Sequence, residues 1–236
     1  MKSLKFLAVS AVFLCLILAA GNSYAQSACV ANTNYTTTTQ PGVAIVPGTV
    51  DVGNHCDDCV TAGLATPFPV RIYNQGPFTT YNVSSNGNLQ FVSINASLGN
   101  VCLPTATMDS AIFGHWDDLR TDQISPSCTI FPTGCGVFTS TSGVAPNRIF
   151  NIEWRTGYFG VAGTTNWEIR LHEANALFEI VYGTITNGGV SATSGVQRDT
   201  GSFFTQFSCN TAIPNATQVT YTCPLVPVEL MGVSVE

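Results

Sequence analysis

Charge is scarce in this chain. Asp, Glu, Lys and Arg make up 9% of its 236 residues, and lysine occurs at Lys2 and Lys5 and nowhere after them. Without lysine beyond residue 5 there is no Schiff-base amine there and no phosphate-gripping P-loop. Six arginines (Arg71, Arg120, Arg148, Arg155, Arg170 and Arg198) stand against fourteen acids, so residues 26–236 carry a formal charge of −8. Such a field repels phosphate backbones and argues against a nucleic-acid partner. Helical patterning is missing too, since no segment holds a long apolar stripe of period 3.6. His55, His115 and His172 belong to no HExxH pair, no G-x-S-x-G elbow is present, and no repeat recurs at a fixed period. A helical cytosolic enzyme, a zincin, an α/β-hydrolase and a solenoid all lose their sequence support.

One long apolar run is present, at the start. Met1–Ala25 places Lys2 and Lys5 before "FLAVSAVFLCLILAA" and ends in "SYA" ahead of Gln26. A charged n-region, a short h-region and a small-x-small end read as a secretory signal peptide, too short to anchor the chain comfortably. The expectation is a secreted or cell-surface protein with no membrane span in its mature part. Cys15 lies inside the apolar run. The other eight cysteines (Cys29, Cys56, Cys59, Cys102, Cys128, Cys135, Cys209 and Cys223) form an even set, as a disulfide framework requires. Cys128 and Cys135 bracket the turn-forming "TIFPTG", and Cys56 and Cys59 bracket "DD". These two local pairs are the expected bridges; the connectivity of the rest stays open.

The stretch "GNHCDDC" at 53–59 admits a metal site, a redox pair or a staple. A thioredoxin-like pair needs a helix after its first cysteine, and "VTAGLATPFPV" follows instead. A structural zinc site needs a second CxxC or a His pair, and none exists. The staple is the expected reading.

From residue 68 onward the pattern alternates as strands do. "TTYNVSSNGNLQF" reads as a hairpin with Asn86-Gly87 in a primed turn. "RIFNIEWRTGYF" and "TNWEIRLHEA" read as a second hairpin. Phe150, Ile152 and Trp154 share one face of the first strand, and Trp167, Ile169 and Leu171 share one face of the second. The opposite faces carry Glu153, Arg155, Glu168 and Arg170, expected as an exposed cross-strand charge ladder. The division expected is a Thr/Asn/Pro-rich extension at 26–50, tied down by Cys29 or left as a stalk, then a β domain at 51–223 and a tail at 224–236. The fold class is all-β: an antiparallel, jelly-roll-like sandwich stapled by disulfides.

Two acidic groupings are candidates for chemistry. Glu153 and Glu168, on neighbouring strands, are the candidate carboxylate pair for a polysaccharide hydrolase, against the stronger structural alternative of the ladder. Asp117, Asp118 and Asp122 in "HWDDLRTD" offer hard oxygens to calcium. Arg120 sits among them as a competing cation, so structural hydrogen bonding is expected rather than a metal, and no cofactor is assigned. N-x-S/T sequons occur at Asn34, Asn82, Asn95 and Asn215.

Taken in order, "PFPVRIYNQGPFTTYNVSSNGNLQF", "AIFGHWDDL", "RIFNIEWR" and "WEIRLHEANALFEIVYG" resemble a recurring module of secreted bacterial proteins. More distantly they resemble the nidogen-type extracellular domain, with its aromatic-rich strand, N-N-G turn and F-W-A-D-V-D segment. The resemblance spans about residues 50–210 and implies an exported β-sandwich at a surface or in a matrix, with no catalytic residues to transfer. "PVELMGVSVE" is similar to the opening strand of a linker that precedes sorting domains. The expected function is therefore a non-catalytic module that binds an extracellular glycan or protein or serves a structural role, with the carboxylate hydrolase as the alternative.

Overall fold

Strict alternation on short, β-branched and aromatic-rich segments leaves each strand one apolar face, and two sheets packed face to face bury both faces. The computed structural model describes residues 26–122 and 126–227. Residues 1–25, read from sequence as a signal peptide, and 228–236, the end of the expected tail, lie outside them. One sheet has the order β1 (Thr36–Pro41), β14 (Thr217–Thr222), β11 (Phe178–Ile185), β10 (Thr164–His172), β9 (Ile149–Tyr158), β8 (Gly136–Ser142) and β2 (Val50–Asp51), with β7 (Leu119–Arg120) also on β9. The other has the order β13 (Phe204–Cys209), β12 (Thr193–Gln197), β6 (Ala111–Trp116), β5 (Asn88–Gln90), β4 (Gln75–Ser84) and β3 (Val60–Ile72). Neighbouring strands pair antiparallel throughout both sheets. The chain is an all-β antiparallel sandwich.

The register of β9 on β10 sets the centre of the core. Trp154 lies opposite Trp167, Ile152 opposite Ile169 and Phe150 opposite Leu171, all buried as their shared faces predict. The two indoles stack at 5.6 Å with their planes 11° apart. Trp154 Nε1 then donates across the sandwich to the Ser84 carbonyl on β4 at 2.9 Å. Tyr182 on β11 makes a second crossing, donating to the Gly114 carbonyl on β6 at 2.9 Å. These bonds satisfy polar atoms that burial would otherwise leave unpaired.

The β4–β5 turn differs from the primed form expected of Asn-Gly. Only Gly87 takes a positive φ, +81°, and its N–H donates to the Ser84 carbonyl at 3.2 Å. That is a three-residue connection ending in a left-handed glycine. Asn86 is needed elsewhere. Its amide donates to Asp58 and to the Ala96 carbonyl, and its Oδ1 accepts the Leu119 N–H. A Cβ at position 87 would also lie 2.0 Å from the His115 carbonyl oxygen.

All eight cysteines among the described residues are paired: Cys29–Cys223, Cys56–Cys59, Cys102–Cys209 and Cys128–Cys135. Two bridges are local. The other two close 194 and 107 residues, the long loops for which cross-linking most restricts the unfolded chain.

Residues 26–50, read from sequence as an extension, are built into the sandwich. Tyr35 enters the core between Tyr73, Phe178 and Tyr221, and β1 extends the sheet beside β14. The chain then crosses the outer face of that sheet to reach β2 at its far edge. The distance fits, since nine extended residues reach about 30 Å and six inter-strand steps of about 4.8 Å span much the same. Residues 42–49 are thus a strap over the sheet. Gly48 lies so close to it that a Cβ would sit 2.5 Å from the Phe138 Cβ.

Emptying the central stack should be costly. Trp154→Ala is expected to lose about 3–5 kcal/mol in a denaturant melt, the range for a buried aromatic. Val144→Ala, at a side chain 78% exposed, should stay within about 0.5 kcal/mol of the parent.

Candidate functional site

The outward faces of β9 and β10 carry the first candidate group. Glu153 lies directly opposite Glu168, a pairing that like charges disfavour. Arginines on the same strands compensate. Arg155 Nε and Nη2 reach the two Glu153 oxygens at 3.0 and 2.5 Å, and Arg170 Nε reaches Glu168 Oε1 at 3.0 Å. The strap completes the set. Val46 N–H donates to Glu168 Oε2 and Gly48 N–H to Glu153 Oε2, both at 2.8 Å. Arg170 donates to the Ala44 carbonyl at 2.8 Å and Arg155 to the Gly48 carbonyl at 3.0 Å. Four side chains thus grip the strap main chain through its donors and acceptors, much as a neighbouring strand would.

This corrects the expectation of an exposed ladder. Glu153 is 4% exposed and Glu168 fully buried, because the strap lies over them. Nothing local marks the strap as a cover, so the alternation signal reported the correct face and the wrong solvent. Burial raises the Glu168 pKa, opposed by Arg170 and by the Val46 N–H. Glu153 has no free lone pair: Arg155 and Asn166 fill Oε1, and Gly48 and Arg155 fill Oε2. Beside it opens a cleft of about 520 Å³ lined by Pro47, Phe131, Pro132, Thr133, Phe138 and Arg155, among others. The Arg155 guanidinium stacks on the Phe138 ring at 4.1 Å and donates to the Thr133 hydroxyl.

The second group joins two motifs. "HWDDLRTD" does not hold its three aspartates together. Asp117 accepts the Asp118 N–H at 2.9 Å and the Ser191 hydroxyl at 2.6 Å. Asp122 takes both prongs of Arg120 at 2.8 and 2.5 Å. Asp118 instead faces Asp57 and Asp58 of "GNHCDDC", and one carboxylate oxygen from each lies within 4.8 Å of the others. Asp58 sits at φ +48° in the loop closed by Cys56–Cys59, and Asn86 donates to it at 2.8 Å. His55 is turned away, its ring nitrogens facing the Asp51 carboxylate at 2.8 Å and the Cys135 carbonyl at 3.0 Å. The motif is a staple that carries two acids. Their meeting with Asp118 had no signal in spacing, only two "DD" pairs far apart in the chain.

Burial raises the pKa of both Asp57 and Asp118; Asp58 adds to each, and Asp57 and Asp117 add to Asp118. A carboxyl raised in the folded state stabilises fully below its ordinary range, and that contribution fades as pH rises through the folded value. The trio brings one oxygen from each carboxylate together where calcium takes six to eight, and the Asn86 amide is already engaged. His115 lies deep between the sheets and belongs to no cluster of candidate metal ligands among the described residues. Its Nε2 lies 3.1 Å from the Tyr158 hydroxyl, and burial pushes it down to about 3. Of the sequons, Asn34 is exposed, while the Asn82 and Asn215 side chains accept the N–H groups of Gly63 and Ile185.

A family model described as NIDO related matches residues 30–229, beginning within the segment read as an extension. No curated protein and no solved structure matches the chain.

Two outcomes test this geometry. Glu153→Ala leaves Arg155 buried without its carboxylate and should cost about 3–5 kcal/mol. It should also speed amide exchange at 44–49 relative to the rest of the sheet. At the acidic corner, Asp118→Asn should raise the melting temperature at neutral pH, with the gain shrinking as pH falls through the aspartate range. Melts of the parent with calcium and with chelator should nearly coincide. A large upward shift with calcium, lost in Asp118→Asn, would instead make the trio a metal site.

Proposed function

The chain belongs to the NIDO-related family, and on that premise we propose that it serves as a non-catalytic binding module of an extracellular surface or matrix. Domains of this kind are extracellular, and no helix among the described residues is long and apolar enough to cross a membrane. The observation that carries the reading is the use made of the acids. The two glutamates best placed for hydrolysis hold the strap, Asp117 accepts the Ser191 hydroxyl of a distant loop, and Asp122 holds Arg120.

The charge balance narrows the partner. Each arginine already has an acceptor within the fold: Arg71 the Gly76 carbonyl, Arg148 Glu173, Arg198 Asp199, and the other three those described above. A sulfated or phosphorylated ligand finds little free positive charge. A neutral glycan or a protein suits this surface better, and the cleft walled by Phe131, Pro132 and Pro47 has the apolar lining that such ligands use.

A glycan array and a pull-down from extracellular material, both with residues 26–236, test the proposal. Retention of a neutral glycan or a protein, weakened by Phe131→Ala, is the expected result. Release of reducing sugar from polysaccharide, abolished by Glu153→Gln or Glu168→Gln in a protein that still folds, would replace binding by hydrolysis.

A further inference from the structure

Of the sheet edges, β1 stands apart. The edge at β2 is two residues long. β3 contains Pro67 and Pro69 and slips register three times against β4. β13 is tied to the 100–105 loop by Cys102–Cys209 and by the Leu103 N–H on Gln206 Oε1. Short length, proline, bulges and cover are the devices that keep edges from pairing. Among the described residues, β1 has none of them before Pro41. It holds unbroken register with β14 over six residue pairs, and all six of its residues are exposed.

Charge sharpens the contrast. Two copies of residues 26–236, each at −8, repel one another, yet β1 and β14 contain no Asp, Glu, His, Lys or Arg. The next strand of the sheet brings in Glu179 on β11, opposite Thr220 of β14 and held by His172 at 2.6 Å. This edge is where two acidic copies can meet without placing like charges opposite each other. Threonine pairs across strands are favourable contacts. The chain already makes one here, Thr36 Oγ1 to Thr222 Oγ1 at 3.1 Å.

We propose that β1 is a self-association edge, pairing antiparallel with β1 of a second copy across a two-fold axis. Thr38 then faces Thr38 of the partner copy, Thr37 faces Thr39, and Thr36 faces Gln40. The eight-stranded sheet becomes continuous through both copies, and the contact is closed, since each edge is consumed by the other. This proposal is independent of the binding role above.

Sedimentation equilibrium on the purified chain, with its disulfides intact, should show a reversible monomer–dimer equilibrium in the micromolar range. Thr38→Lys and Thr38→Glu should each weaken the dimer by about tenfold or more, because like charges then meet at the axis. An equimolar mixture of the two variants should restore it. Amide exchange of the parent at 36–40 should slow as concentration rises, a readout that needs no variant. A monomer at every concentration overturns the proposal. So do a dimer indifferent to both substitutions, open-ended growth, or exchange at 36–40 that ignores concentration.

Discussion

The register between β9 and β10 decides both faces of the larger sheet at once. With Trp154 opposite Trp167, the neighbouring positions must place Glu153 opposite Glu168. A slip of one residue would send the indoles outward and the carboxylates into the core. The apolar stack is worth several kcal/mol, whereas two facing carboxylates repel by far less in a polar setting. The aromatic pair therefore wins, and the fold then deals with the acids it has aligned. Arg155, Arg170 and the strap N–H groups are that answer. The strap is a consequence of the register and, once placed, locks it.

The strap also depends on how the first and last strands of the described fold are held together. β1 and β14 are adjacent, and Cys29–Cys223 closes the same end of the sandwich. Residues 42–49 begin at that fixed edge and finish at β2, so they are anchored at both ends and gripped in the middle. A free segment of this length would lose its side-chain bonds to water at little cost. Fixing its ends lowers the entropy that the grip must overcome. Polar contacts that are individually modest can then hold buried carboxylates in place.

Much of this was legible in the sequence, and the omissions share one cause. Two-residue alternation assigned Trp154 and Trp167 to the core, and short loops rich in turn residues identified Cys56–Cys59 and Cys128–Cys135. Both signals are local. The burial of Glu153 and Glu168 depends on a cover more than 100 residues earlier. The Asp57, Asp58 and Asp118 trio depends on how two loops meet, and the Gly87 turn depends on what Asn86 holds elsewhere. Local pattern fixes which way a side chain points. It does not say what will lie there.

The want of lysine takes on a structural meaning at the strap. Arg155 binds both oxygens of Glu153, the Gly48 carbonyl and the Thr133 hydroxyl while stacking on Phe138. That demands donors pointing several ways in one plane and a flat face free for the ring, which a guanidinium has. An ammonium has three donors about a point and no flat face. Lysine here would neutralise the carboxylate yet leave the strap carbonyl or the hydroxyl unserved. Arg120 on Asp122 and Arg148 on Glu173 make the same two-pronged contact. In a chain with so few cations, each one joins several acceptors, and that is work for arginine.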